Sequence, residues 1–76
     1  MAQEEYIKNL KKRLENKQPL KIDLKNGVIL DLTFDNEIQA YRGYWKEEDM
    51  YIGIWTTKTF SMILNGEIKD VKILLQ

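Results

Sequence analysis

Two periods divide the chain. From about Gln3 to Asn16, Ile7, Leu10 and Leu14 recur at spacings of three and four, with Tyr6 beside them and charged residues elsewhere. One apolar stripe on an otherwise polar segment predicts an amphipathic helix. Glu4 and Glu5 fall in its first turn and basic residues in its last, as the helix dipole favours. Pro19 closes it, because the residue before a proline is driven out of the helical region.

Beyond Pro19 the period becomes two. Leu20, Ile22 and Leu24 alternate with Lys21, Asp23 and Lys25, and Val28, Leu30, Leu32 and Phe34 continue the pattern. A two-residue Asn26-Gly27 turn would oppose Leu24 to Ile29 and Ile22 to Asp31, splitting the apolar rows between two faces. A three-residue Lys25-Asn26-Gly27 loop instead pairs Leu24 with Val28, Ile22 with Leu30 and Leu20 with Leu32. That loop needs a left-handed residue where Gly27 stands. Since a slip of one residue turns a whole row outward, the three-residue loop is expected. Two further hairpins are predicted. Ile38 to Trp45 and Met50 to Thr56 flank the polar Lys46-Glu47-Glu48-Asp49, and Thr59 to Leu64 and Glu67 to Leu74 flank Asn65-Gly66. In the last strand Ile68 and Val71 have opposite parity, so either both faces are apolar or a bulge sits near Lys69-Asp70.

The expected fold is α+β. One domain spans 1–76, with a helix over about 3–16 and a five- or six-stranded antiparallel meander over about 20–75. The sheet is expected either to curl or to close as a small SH3- or Sm-like barrel. A chain of 76 residues buries only about 60% of the surface its unfolded form exposes, so its margin of stability is small.

Composition narrows the chemistry. There is no cysteine and no histidine, so a disulfide framework is impossible and the commonest nucleophile–base pairs are missing. The acidic, polar N-terminal residues and the absence of a long apolar run read as a cytoplasmic protein without a signal peptide or membrane contact. Twelve basic and twelve acidic residues cancel, which weakens a nucleic-acid reading. Lys8, Lys11, Lys12, Arg13 and Lys17 crowd the helix while Glu47, Glu48 and Asp49 form an acidic loop; both runs read as solvated surface.

Short segments resemble the Sm-like small barrels. Leu24-Lys25-Asn26-Gly27 is similar to the turn opening that family's first motif, Phe34-Asp35-Asn36 to its acidic turn, and Ile63-Leu64-Asn65-Gly66-Glu67-Ile68 to its second motif. The resemblance implies an N-terminal helix, a strongly bent five-stranded sheet, an oligomeric ring and RNA binding. Asp31 departs from it where a glycine would ease the bend, and Asn65 departs where a basic residue would hold RNA.

Catalysis finds little support. Ser61, Thr56, Thr57 and Thr59 have no base at a recognised spacing, and Asp31, Asp35 and Glu37 lie at a hairpin end, where turn chemistry explains them. Neither Asp35-Asn36-Glu37 nor Glu47-Glu48-Asp49 has the spacing of a calcium loop. The chain is therefore read as non-catalytic, with no cofactor and no metal.

The central hairpin carries the candidate site. A four-residue loop pairs Trp45 with Met50, Tyr44 with Tyr51, Arg42 with Gly53 and Ala40 with Trp55. Tyr41, Trp45, Met50, Ile52 and Ile54 then form a core face, while Arg42, Tyr44, Tyr51 and Trp55 share the other face around the bare backbone of Gly53. That second face either packs under Ile7, Leu10 and Leu14 or stays open. An open face would suit a protein partner or self-association, a small flat or anionic ligand or, less well, nucleic acid. A small protein that occupies or sequesters its partner, such as an inhibitor encoded by a phage or mobile element, is the leading reading. An Sm-like RNA-binding oligomer and a structural, self-assembling or designed β-protein are the alternatives.

Overall fold

The computed structural model describes residues 2–75. Helix α1 (Ala2–Glu15) leads into strands β1 (Leu20–Leu24), β2 (Ile29–Asp35), β3 (Ala40–Trp45) and β4 (Met50–Trp55). Helix α2 (Thr57–Leu64) and strand β5 (Val71–Leu74) complete the chain. The strands form one antiparallel sheet in the order β4-β3-β2-β1-β5. The first four make the expected meander. The sheet stays open and the barrel alternative is not realised, because β4 and β5 lie at opposite edges.

The apolar alternation selects one face. Leu20, Ile22, Leu30, Leu32, Tyr41 and Ile73 are buried together with Leu10 of α1 and Phe60 of α2, so both helices cover the same side. The β1–β2 register pairs Leu20 with Leu32 and Ile22 with Leu30. Leu24 N–H donates to Val28 O at 2.8 Å, and Gly27 takes φ +86°. The three-residue loop and its left-handed glycine are as expected.

Helix α1 stops before the proline acts. Gln18 N–H reaches Arg13 O at 3.0 Å and Lys17 N–H reaches Leu14 O at 3.2 Å, with Lys17 at φ 55°. This is a Schellman cap with lysine in the left-handed position usually held by glycine. The Lys17 ammonium lies 5.0 Å from the centre of the Phe34 ring, a cation–π contact that favours this placement. The Tyr41 hydroxyl donates to Gln18 O at 2.9 Å and ties the cap to β3.

The third predicted hairpin is wrong. Thr57–Leu64 is helical, and Asn65-Gly66 ends that helix instead of turning between strands. Thr56 and Thr59 form a reciprocal capping box at its start. At its end Glu67 N–H bonds to Met62 O at 2.9 Å and Gly66 N–H to Ile63 O at 3.2 Å, with Gly66 at φ +81°. The same dipeptide serves a hairpin or a helix cap equally well, because both need a left-handed glycine. Phe60, Ile63 and Leu64, at spacings of three and four, meet the core. The physical need for this helix is the crossover: the chain must travel from the β4 edge to the opposite edge, and α2 seals the helix-bearing face on the way.

Candidate functional site: the open face of the sheet

Opposite the helices no described residue forms a covering layer on the sheet. Its side chains divide in two. Toward β1 they are mainly charged, with Lys21 and Asp31 directly paired and 3.9 Å apart at their charged groups, and with the exposed Ile29 opposite Asp23. Toward β4 they are aromatic and aliphatic.

Tyr44 and Tyr51 sit directly opposite each other, their ring centres 5.2 Å apart and their planes at 50°. Tyr44 donates its hydroxyl to Asp49 Oδ1 at 2.5 Å. Asp49 is held left-handed at φ 49° by the turn Lys46–Glu48, so this bond ties the acidic loop to the strand. It also raises the phenol pKa of Tyr44 above its ordinary value, since ionisation would place an anion beside a carboxylate. Tyr51 is 67% exposed and Ile54 58% exposed. Arg42 stands between Thr33 and Ile54 in the register, and its Nε donates to Asp35 Oδ2 at 2.7 Å. Asp35 Oδ1 accepts Glu37 N–H at 2.9 Å, an Asx turn that orders the β2–β3 loop. The Arg42 hydrogen bond, followed by that backbone N–H, lowers the Asp35 pKa, and Arg42 is raised in return.

Two of the residues assigned to this face are elsewhere or in another role. A β-bulge places Ile52 and Gly53 together opposite Gly43, so Arg42 faces Ile54 and Tyr41 faces Trp55. Beyond the bulge, parity is reversed. Trp55 turns to the helix side, where it packs against the core and donates its indole N–H to Ile52 O at 3.1 Å. Ile54 takes the outward place. Gly53, at φ +75°, is the bulge residue. Nor does α1 cover the tyrosines: Leu10 is buried and Leu14 packs on the opposite side of the sheet.

Gly43 was missed by sequence reasoning and is the more constrained glycine of the hairpin. A Cβ there would lie 2.6 Å from Ile52 O, 2.9 Å from Trp55 Nε1 and 3.1 Å from Leu30 Cδ1. Its signal was present in the spacing: two glycines facing each other across a hairpin mark a bulge and a close approach.

The chemistry available here is contact. The tyrosine ring centres are 5.2 Å apart, too close for a planar ligand to fit between them, and the Arg42 charge is already answered by Asp35. The Lys8, Lys11 and Lys12 side chains point to solvent from α1, on the far side of the sheet. Among the described residues, no group of three or more acidic side chains gathers to hold a metal ion, and no helix is long and apolar enough to cross a membrane.

Fold and site together define an open two-layer α+β domain with one bare aromatic sheet face. No family model matches the chain, and no curated protein or solved structure matches it.

Proposed function

We propose that the protein acts by binding, without catalysis, and that it captures a protein partner on the open face of its sheet through Tyr44, Tyr51, Ile54 and Arg42. One observation carries this reading. Tyr51 and Ile54 are each more than half exposed on either side of the β4 bulge, on a face that no described residue covers, in a chain small enough to need most of its apolar surface inside. Tyrosine and arginine are the residues on which protein interfaces concentrate their energy. Arg42, held by Asp35, is ordered before a partner arrives, which lowers the entropy lost on docking. The direct contact of the two tyrosine rings, 5.2 Å between centres, leaves no slot between them and favours a protein surface over a small-molecule site, and an inhibitor that masks its target is the simplest activity such a surface supports.

Native mass spectrometry of the protein purified from its own host reports any co-purifying chain and its stoichiometry. Wild type should retain a partner that Tyr51→Ala and Ile54→Ser both lose while their far-UV circular dichroism stays native. Retention by the folded variants would remove this face from the reaction.

A further inference from the structure

The two edges of the sheet are not alike. On β5, Lys25 N–H donates to Asp70 O at 3.0 Å, and the alternation of an antiparallel ladder then turns the carbonyl of Ile73 outward. The Tyr6 hydroxyl of α1 donates to that carbonyl at 2.6 Å. This edge is four residues long, carries Lys72, and is capped. The β4 edge is longer, uncharged and uncapped, and of the features that guard an edge against strand addition it carries the bulge at Ile52 and Gly53. Its six residues, Met50-Tyr51-Ile52-Gly53-Ile54-Trp55, contain no charge and no proline, and Met50, Tyr51 and Ile54 are 49%, 67% and 58% exposed.

We infer that the β4 edge pairs antiparallel with the β4 edge of a second copy of this chain, about a two-fold axis between Ile52 and Gly53. The bulge selects this register. Tyr51 shares the open face with Tyr44, and Ile54 shares it with Arg42, although Tyr51 and Ile54 are three positions apart and a regular strand would put them on opposite faces. A two-fold centred at the bulge therefore opposes Tyr51 to Ile54 of the second copy on the open side, an aromatic–β-branched pair. It also opposes Met50 to Trp55 of the second copy on the helix side, a sulfur–aromatic pair. Every apolar side chain of β4 keeps its proper face.

Charge agrees with the same register. The acidic Glu47, Glu48 and Asp49 precede β4, and Lys58 follows it. Antiparallel pairing lays the acidic end of one copy beside the lysine of the other, twice, by symmetry. Parallel pairing would stack acid on acid. A head-to-tail chain through β5 is blocked by Tyr6. The product is a ten-stranded sheet with one continuous open face, and it requires nothing of the partner proposed above.

Sedimentation equilibrium from low micromolar to near-millimolar protein tests this. Wild type should reach a limiting mass of twice 9.1 kDa and no more. Lys58→Glu should raise the dimer dissociation constant roughly tenfold, and adding Glu47→Lys and Glu48→Lys to it should restore association. Lys11→Glu, on the solvent side of α1, controls for net charge and should change nothing. A monomer at every concentration overturns the pairing. So do assemblies beyond the dimer, or a dimer insensitive to the reversal in variants whose circular dichroism is native. Tyr51→Ala should weaken the dimer, but the lysine and glutamate variants lie off the face proposed for the partner, so failure of one reading leaves the other standing.

Discussion

The indole N–H of Trp55 donates to the carbonyl oxygen of Ile52 at 3.1 Å, and both groups crowd the space a Cβ on Gly43 would take, 2.9 Å and 2.6 Å from that point. The bulge in β4 is thereby locked from two sides: a hydrogen bond spans it, and a bare backbone receives it. The rotation that sends Trp55 inward and Ile54 outward depends on that lock.

Gly43→Ala should therefore be among the most damaging conservative changes in the chain. Its Cβ would meet backbone oxygen at 2.6 Å, which no side-chain rotation relieves. Forced overpacking of this kind costs about 2 kcal/mol or more. Gly27→Ala provides the contrast, because nothing lies within 4 Å and only its φ of +86° resists; about 1 kcal/mol is expected. Urea midpoints of the two variants should rank in that order, and the reverse ranking would show that the bulge yields.

The capping box of α2 makes a second, independent expectation. Thr56 Oγ1 accepts from Thr59 N–H at 3.3 Å, and Thr56 N–H donates to Thr59 Oγ1 at 3.4 Å. An eight-residue helix has little else to hold its first turn. Thr56→Ala should cost about 1 kcal/mol, or roughly 4–8 °C in Tm for a domain of this size, while Thr56→Ser stays near wild type. Thermal melts followed at 222 nm read both.

Legibility in the sequence followed the strength of competing signals. The α1 stripe and the Gly27 loop were readable because each had one physical solution: a helix with a single apolar face, and a register that kept two rows together. Thr57–Leu64 was ambiguous. Its β-branched and aromatic residues favour a strand, Asn65-Gly66 suits a turn, and the spacing of Phe60, Ile63 and Leu64 spoke for a helix in only two turns. The crossover decided it, and strand order is not written in local pattern. On the open face, Arg42, Tyr44 and Tyr51 were assigned correctly because they lie on the loop side of the bulge or on the regular strand β3. Trp55 was misassigned because one extra residue inverts all that follows. The two glycines at 43 and 53 held that information together, and neither held it alone.

The bulge also makes opposite expectations for two neighbouring aromatic residues. Tyr51 is 67% exposed and rests against the ring of Tyr44, so Tyr51→Ala should change stability by no more than about 1 kcal/mol. Trp55 packs against the core and bridges the bulge, so Trp55→Ala should cost about 2–3 kcal/mol. If chemical denaturation found the two equally tolerant, Trp55 would belong with the open face after all.

Acid should loosen the ordered arginine before it unfolds the domain. Asp35 has a folded-state pKa below its ordinary 3.8, chiefly through the hydrogen bond from Arg42 and then through the Glu37 N–H. A depressed carboxylate pKa means that the unfolded chain binds the proton first. The stabilisation is therefore fully present above about pH 4, and it is lost as the pH falls through the lowered value. Arg42, shifted upward, stays charged throughout. Asp35→Asn removes both the ion pair and its titration. The stability difference between wild type and this variant should be constant from neutral pH down to about pH 4 and shrink below it. Because the two side chains are 27% and 43% exposed, salt screens the pair. Near-molar sodium chloride at neutral pH should narrow the same difference. A gap that widened on acidification would mean that Asp35 is protonated in the native fold and that Arg42 is held by something else.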